Sequence, residues 1–320
     1  MAAMERRTYG ATGLDVSVLT YGAMTVAADP GLKDGIAPSL LAALEAGVNL
    51  VDTARVYPRS EEIVAATLRA WNGPQPFVST KVKSRARDAY RFACPVAEAY
   101  PAEAIRESVE ESLRALRRDT LDIVHLHQWH YAWTHDLAWL EVLHTLREEG
   151  KLRFIAVSVQ DHEHDAALEL VSQGLVDGVQ AIVHLFESRP ANALLPLAQA
   201  RGVGVIARCV LDSGGLTGAL TEADFAARTF LRHAPHADYA ARLAALERSF
   251  LPAAAVQISE LALRFVASLP GVSTLTLGMP ESRFVEAAVA ALAKGPLAAE
   301  VVAAIRREHV WSRNFYERLL

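Results

Sequence analysis

Short apolar runs alternate with longer amphipathic segments along most of the chain. The runs lie at residues 18–22, 48–52, 77–81, 121–127, 153–158, 178–182, 203–207 and 273–277. The segments between them have helical periodicity and lie near 38–46, 61–71, 101–116, 137–149, 164–172, 191–201 and 257–269. Such alternation is typical of parallel strands joined by right-handed helical crossovers. The pattern therefore predicts an α/β fold, a (β/α)8 TIM barrel.

The N-terminal segment departs from this alternation. A turn with Gly10 and Gly13 is followed by alternating apolar residues from Leu14 to Leu19, which predicts a β-hairpin at the barrel floor. Because α/β barrels of this length are usually single domains, we expect residues 1–320 to form one domain. Two connections that follow strands are longer than ordinary barrel loops, at 83–100 and 212–239.

Composition narrows the class of protein. The chain is 52% hydrophobic, with a net charge of −5, a pI of about 6.1 and no basic block, so nothing indicates a nucleic-acid partner or an anionic membrane surface. Two cysteines, Cys94 and Cys209, form no disulfide framework and suit a reducing compartment. The N-terminus lacks the apolar core of a signal peptide. We expect a cytoplasmic protein, monomeric or homo-oligomeric.

Several apolar runs end in a polar residue. Asp52 ends one run, Tyr57 follows in the next loop, and Lys81 and His127 end two further runs. In a closed parallel barrel, catalytic residues collect at the carboxyl ends of the strands. A lone Asp–Lys pair or a lone strand-end histidine is usually structural. Four such residues in order at strand ends favour a catalytic site.

These residues give the chain its resemblance to a known family. It is similar to the aldo-keto reductases, whose catalytic tetrad is Asp, Tyr, Lys and His in that chain order. The matching residues are Asp52 and Tyr57 in VDTARVY, Lys81 in VSTKV and His127 in LDIVHLH. The resemblance implies an NAD(P)H-dependent oxidoreductase that reduces the carbonyl of an aldehyde or ketone, sugar-like or aromatic, to an alcohol.

The resemblance also implies a division of roles within the tetrad. Tyr57 would donate the proton, and a nearby Lys81 ammonium would lower the pKa of the phenol. Asp52 would pair with Lys81, and His127 would help to place the substrate oxygen. We expect His125 to face the opposite side of its strand and to be structural.

Cofactor-binding positions follow from the same resemblance. Family members bind the nicotinamide amide through a Ser, an Asn and a Gln; here the Asn position is Val159. Arg208 stands where many members stack a tyrosine, and a planar guanidinium can also stack. The run from Leu211 to Gly218 is similar to the loop that wraps the pyrophosphate. The expected cofactor residues are Ser158, Gln180, Arg208, Leu211, Gly214, Leu216, Gly218, Gly278 and Arg283.

NADPH is expected ahead of NADH because Arg283 could meet the 2′-phosphate if the loop after the last strand is one residue shorter. Pro280 and Ala288 depart from the family pattern. No metal is expected, since the histidines near His127 have no accompanying cysteine.

The substrate pocket is expected to contain Met24, Arg55 and Trp129. Tyr90, Tyr131 and Trp133 would complete an aromatic rim suited to a polar, ring-containing substrate.

Two other functions are consistent with parts of this sequence. One is a non-catalytic family member that binds cofactor and serves a regulatory or structural role, consistent with the departures at Val159, Pro280 and Ala288. The other is an isomerase or aldolase in which Lys81 forms a Schiff base. A lysine nucleophile must first lose its proton, which a neighbouring Asp52 carboxylate opposes.

Overall fold

In the part of the chain that the structure describes, ten strands build the framework. The computed structural model describes residues 4–86, 94–228, 231 and 234–311. Two short strands pair antiparallel, and the eight that follow close into a parallel barrel in the order β10-β3-β4-β5-β6-β7-β8-β9, which confirms the predicted fold class. The strands are β1 (Arg6–Thr8), β2 (Asp15–Ser17), β3 (Leu19–Gly22), β4 (Leu50–Asp52), β5 (Phe77–Val82), β6 (Leu121–Trp129), β7 (Leu152–Val159), β8 (Gly178–Ile182), β9 (Gly204–Arg208) and β10 (Thr274–Gly278).

Helices surround the barrel, and the amphipathic ones bury an apolar face. In α4, for example, Ile105, Val109 and Leu116 are buried at intervals of four and seven residues, as an amphipathic helix requires. Within the described residues the helices are α1 (Pro38–Glu45), α2 (Ser60–Ala70), α3 (Val96–Ala99), α4 (Ala102–Leu116), α5 (Ala138–Glu148), α6 (Leu168–Gln173), α7 (Leu194–Arg201), α8 (Glu222–Ala227), α9 (His236–Phe250), α10 (Ile258–Ala267), α11 (Ser282–Leu292) and α12 (Ala299–Glu308). None of the helices in the described ranges is long and apolar enough to cross a membrane.

The floor of the barrel is filled by Tyr9, which follows β1. Its ring is fully buried and packs with Leu50, Ile123 and other residues of the barrel interior. The ring fits because β8 and β9 both begin with glycine. A Cβ on Gly178 would lie 1.9 Å from Tyr9 Oη, and one on Gly204 would lie 2.6 Å from the ring. The hairpin therefore closes the amino-terminal end of the barrel, as predicted.

Two regions differ from the sequence-based prediction. The segment predicted as one helix near 164–172 is a 3-10 turn, His164–Ala167, followed by α6. The long connection at 212–239 contains the 3-10 turn Asp212–Thr217 and α8, and α9 begins within it at His236. This region therefore adds helical structure above the carboxyl end of β9.

Candidate active site

The carboxyl ends of β4, β5 and β6 bring the four predicted tetrad residues together. Asp52 is the last residue of β4, Lys81 lies in β5 and His127 in β6, while Tyr57 lies in the turn before α2. Lys81 Nζ lies 2.8 Å from each Asp52 carboxylate oxygen and 2.7 Å from the Thr53 carbonyl oxygen. Both side chains are buried, so their charges are held together with little water between them.

Tyr57 and His127 complete the arrangement on the open side of this ion pair. The two rings meet edge to face with centroids 5.8 Å apart, and Lys81 Nζ lies 5.5 Å from the centre of the Tyr57 ring. Burial raises the pKa of Tyr57, and Lys81 acts in the opposite direction without reversing the shift. The expectation that Lys81 lowers the pKa of the phenol therefore holds for its contribution alone, and Tyr57 is protonated at neutral pH.

His127 is neutral for a related reason. Burial, followed by the Lys81 charge, lowers the pKa of His127 to about 3. Its Nδ1 atom is buried and has no hydrogen-bond partner among the described residues. A neutral imidazole keeps one N–H donor and one acceptor, so it can orient a carbonyl oxygen without adding charge.

Asp52 receives hydrogen bonds from more than Lys81. Ser79 Oγ donates to Oδ1 at 2.9 Å, and Gln180 Nε2 donates to Oδ2 at 3.0 Å. Burial alone would raise the pKa of Asp52, but Lys81, His125 and the hydrogen bond from Gln180 lower it below its ordinary range. Asp52 is therefore a fixed anion at the base of the site.

The expectation that His125 faces the opposite side of its strand from His127 is wrong. Residues two apart on a strand share a face, so His125 faces the barrel interior directly below His127. It is fully buried, and its Nε2 lies 3.0 Å from Ser79 Oγ. Because the Asp52 carboxylate can only accept, Ser79 gives it the hydroxyl proton and accepts a proton from His125 Nε2–H. Burial, followed by Lys81, lowers the pKa of His125 to about 4, so it is neutral.

The open end of the barrel formed by the carboxyl ends of its strands is called the mouth here. Across the mouth from the tetrad, the ends of β7, β8 and β9 carry the predicted nicotinamide residues. Ser158 ends the interior face of β7, Gln180 lies in β8, and Arg208 ends β9. Arg208 donates to the Val159 carbonyl at 3.0 Å and to Asp161 at 2.8 Å. Its Nε is buried without a partner in the described part of the chain.

Gln160 is a residue of this wall that the sequence reasoning missed. It immediately follows Val159, where the expected Asn is absent, and its Nε2 is buried with no partner among described residues. Arg208 Nε and His127 Nδ1 are likewise buried without a partner among the described residues, so three polar atoms of the residues at these strand ends are unsatisfied. These atoms fit a carboxamide-bearing ring such as nicotinamide. An amide one residue beyond a strand end was the signal available in the sequence.

The loop after β9 has an unusual backbone. Asp212, Ser213, Gly214 and Gly218 all have positive φ, and the ring of Tyr239 on α9 supports the loop from below by donating to Asp212 Oδ2 at 2.9 Å. The amides of Gly214 and Leu216 donate to the Leu211 carbonyl, and that of Gly218 to the Gly215 carbonyl. These three amides therefore stabilise the loop itself.

Beyond β10, Arg283 is largely exposed. It donates to Glu281 at 2.8 Å, and its guanidinium lies 4.8 Å from the centre of the Phe284 ring. Gly278 is the last residue of β10. Thr25 and Thr276 each have a buried hydroxyl with no partner in the described chain, close to Gly278 and Gly22 respectively. Two hydroxyls near the end of β10 are therefore buried without a hydrogen-bond partner among the described residues.

Two predicted pocket residues point elsewhere. Arg55 pairs with Glu61 of α2 and with Glu111 of α4, which draws it between the helices and the barrel. Trp129 is fully buried, and its Nε1 donates to the Ala166 carbonyl at 2.9 Å. Both were expected at the rim because the sequence places them close to tetrad residues, which does not determine the direction of a side chain.

Other residues of the expected rim are distributed between surface and core. Met24 is 58% exposed in the turn after β3, and Tyr131 is 64% exposed and stacked on His130. Trp133 is buried and donates to the Cys94 carbonyl. Tyr90 and the tail beyond Trp311 lie outside the described residues.

Comparisons with known proteins agree on one family. The model of the Aldo/keto reductase family matches residues 18–308. The chain is 30% identical over 227 residues to L-galactose dehydrogenase of Arabidopsis thaliana, covering 68% of each protein. It is 29% identical over 240 residues to NADH-specific methylglyoxal reductase of Escherichia coli (strain K12), covering 68% of this chain and 71% of that protein.

A solved structure of an aldo-keto reductase has a similar fold. An aldo-keto reductase from Bacillus halodurans, in its holo form, aligns with a TM-score of 0.76 and 24% identity over 98% of this chain and 99% of that one. At this identity the likeness concerns the fold alone.

Proposed function

Because this chain belongs to the aldo/keto reductase family and is an NAD(P)H-dependent oxidoreductase, we propose that it reduces aldehyde or ketone carbonyls with Tyr57 as proton donor. The observation that carries this assignment is the protonated phenol held beside a neutral His127 and above the Asp52–Lys81 ion pair. General acid catalysis needs a donor that is still protonated when negative charge develops on the carbonyl oxygen.

The protein's own residues supply the proton and stabilise the charge that its transfer leaves behind. When bound, a reduced nicotinamide supplies the hydride that the carbonyl carbon accepts. Tyr57 donates its proton to the oxygen as that oxygen becomes an anion, and the Lys81 ammonium stabilises the phenolate that forms. Asp52 keeps Lys81 in place, and His127 orients the oxygen. No side chain has to change its charge before the reaction begins.

The cofactor would lie along the mouth from β7 to β10. Ser158, Gln160 and Gln180 offer polar atoms to the carboxamide, and Arg208 offers a planar face to the ring. Gln180 already donates to Asp52, which leaves its carbonyl oxygen to accept from the amide. The pyrophosphate would be bordered by the loop residues Leu211, Gly214, Leu216 and Gly218. Gly278, which has no side chain, would leave room for the dinucleotide beside β10.

We further propose NADPH in preference to NADH, through contact of Arg283 with the 2′-phosphate. The Arg283 side chain is 70% exposed, so its guanidinium is accessible to a phosphate, which binds a guanidinium strongly and would replace Glu281. The same Glu281 opposes a 2′-phosphate by its charge. The preference therefore depends on the balance between two residues separated by one position.

The substrate is proposed to be a polar, sugar-like or aromatic carbonyl compound. Met24 and the His130–Tyr131 stack offer apolar and aromatic surface at the mouth. The names of the relatives include an L-galactose dehydrogenase and a methylglyoxal reductase, which supports carbonyl compounds of the sugar and small-aldehyde classes as first candidates.

The test is a titration of the purified protein with NADPH and NADH, followed by turnover on a panel of sugars, methylglyoxal and aromatic aldehydes. Binding with turnover on at least one substrate is the expected result. Tight binding without turnover on any substrate would favour a regulatory or structural role instead. The single-domain organisation, metal independence, cytoplasmic location, oligomeric state and lack of nucleic-acid binding stay predictions.

A further inference from the structure

Arg208 crosses the mouth of the barrel on the side opposite the tetrad. In the ring of eight strands, β9 lies four strands from β5, so Arg208 and Lys81 stand on opposite walls. From the end of β9 the Arg208 side chain passes the end of β8 and reaches β7, where it donates to the Val159 carbonyl and to Asp161. A ligand ring that reacts beside Tyr57 and His127 must therefore lie between these two walls.

The charge of Arg208 is only partly compensated. Its side chain is 19% exposed, whereas that of Asp161 is 43% exposed, so water screens the carboxylate more than the guanidinium. Burial raises the pKa of the adjacent Cys209, which leaves a neutral thiol beside Arg208. This wall therefore pairs a largely buried cation with a more hydrated anion.

The effect of this cation reaches the reacting groups. Burial raises the pKa of Tyr57 and lowers that of His127, and in both residues Arg208 contributes a lowering of the pKa. Asp52 already balances Lys81 at a contact of 2.8 Å. Arg208 is paired at the same distance of 2.8 Å, but its partner Asp161 is 43% exposed whereas Asp52 is buried, so the charge of Arg208 is less completely compensated than that of Lys81.

A nicotinamide ring changes charge during its reaction: the reduced ring is neutral, and the oxidised ring carries one positive charge. We propose that Arg208 makes this site bind the reduced cofactor more tightly than the oxidised one, and that Asp161 limits the difference. This inference rests on the proposed function, since it assumes that the ring lies between Arg208 and Tyr57. Repulsion between like charges weakens binding of the oxidised form alone.

The preference has a chemical consequence for the reaction. Tighter binding of the reduced form raises the reduction potential of the bound cofactor, by about 30 mV for each tenfold ratio of dissociation constants. It also means that the oxidised cofactor, once formed, leaves the site more readily. Arg208 would thus favour turnover by promoting release of the spent cofactor.

The experiment compares dissociation constants for the reduced and oxidised cofactors, NADPH with NADP⁺ and NADH with NAD⁺, by calorimetry on the intact protein. Wild type should bind the reduced form more tightly. Arg208→Gln, which keeps a hydrogen-bond donor but removes the charge, should shrink the ratio on the order of tenfold. Arg208→Lys, which keeps the charge, should largely preserve it.

A third variant distinguishes charge from packing. Asp161→Asn removes the compensating carboxylate, so it should increase the ratio, opposite to Arg208→Gln. A purely structural role for Arg208 would weaken both forms equally and leave every ratio unchanged, which would overturn the inference. Failure of wild type to bind either form would instead overturn the proposed function.

Discussion

Lys81 directs its ammonium at Asp52 and at the Thr53 carbonyl, and not at Tyr57. The three contacts, of 2.7 to 2.8 Å, use the three protons of the ammonium. Lys81 therefore acts on the phenol through its field, across the 5.5 Å to the ring centre. The arrangement also opposes a Schiff-base mechanism, because a lysine can attack a carbonyl only as the neutral amine, after its ammonium has lost one proton.

The first prediction concerns the proton donor. Tyr57→Phe should lower kcat on the order of 10² to 10⁴-fold and leave cofactor binding nearly unchanged, because only the hydroxyl is lost. Steady-state turnover and a cofactor titration measure the two effects. Tyr131→Phe is the control: it also removes one tyrosine hydroxyl but keeps the exposed aromatic ring proposed to meet the substrate, so its kcat should fall far less than that of Tyr57→Phe. Near-normal turnover in Tyr57→Phe would show that another group is the acid.

The pH dependence follows from the same phenol. Reduction requires protonated Tyr57, whose pKa is raised above the ordinary value of 10.0 by burial. The rate of reduction should therefore be level across neutral pH and fall only as pH rises through the raised pKa. Oxidation of the alcohol requires the phenolate and should rise with pH. Lys81→Met should move both alkaline changes to higher pH, and unchanged profiles would exclude a role for Lys81 through the phenol.

Removal of Asp52 should affect stability as well as rate. Asp52→Asn leaves the buried Lys81 ammonium without its counter-charge, which typically costs about 3–5 kcal/mol. Urea unfolding measures this loss. In wild type the folded pKa of Asp52 is depressed, so its stabilising contribution is present above the unfolded pKa and is lost as pH falls through the folded pKa. An Asp52→Asn variant as stable as wild type at pH 7 would contradict this account.

The layer beneath the tetrad yields a subtler prediction. Ser79→Ala removes a donor to Asp52 and the acceptor of His125, and leaving buried groups unpaired costs about 1–3 kcal/mol. We expect a lower kcat with little change in KM, since Ser79 is fully buried beneath Asp52. Ser79→Thr keeps the hydroxyl and should restore much of the rate. Equal losses in both variants would indicate a packing defect alone.

Cofactor choice is tested with two neighbouring residues. Arg283→Ala should raise KM for NADPH several-fold and leave KM for NADH almost unchanged, since only NADPH carries the 2′-phosphate. Glu281→Gln should lower KM for NADPH, because it frees Arg283 and removes a repelling charge. The pair of opposite responses is the signature of a phosphate contact. If Arg283→Ala changed both cofactors alike, the assignment would fail.

The sequence predicted the barrel because each buried strand is an apolar run and each helix has one apolar face. The ends of most elements lie within three residues of the prediction, as with Ser60–Ala70 against 61–71. The region 212–239 was predicted as a loop, yet it contains α8 and the start of α9. Its polar and alanine-rich residues carry no strong apolar periodicity, and tertiary packing through Tyr239 stabilises the helix.

The predicted tetrad residues are together because strand ends fix their positions. Side chains that depend on distant partners were less predictable. Arg55 is drawn aside by Glu61 and Glu111, which lie on two different helices. His125 was predicted on the wrong face: residues two apart on a strand share a face, so it lies on the same side as His127. Gln160 was missed because the family's amide residue is expected at position 159. Such details depend on pairings that local sequence does not specify.

The fit of Tyr9 beneath the barrel links three positions far apart in the chain. Its ring occupies the space that side chains at positions 178 and 204 would need, so neither glycine can change while the tyrosine remains. Mutational history should preserve this dependence as correlated substitution: relatives with a small residue at position 9 can carry larger residues at 178 or 204, and relatives with a large aromatic residue cannot.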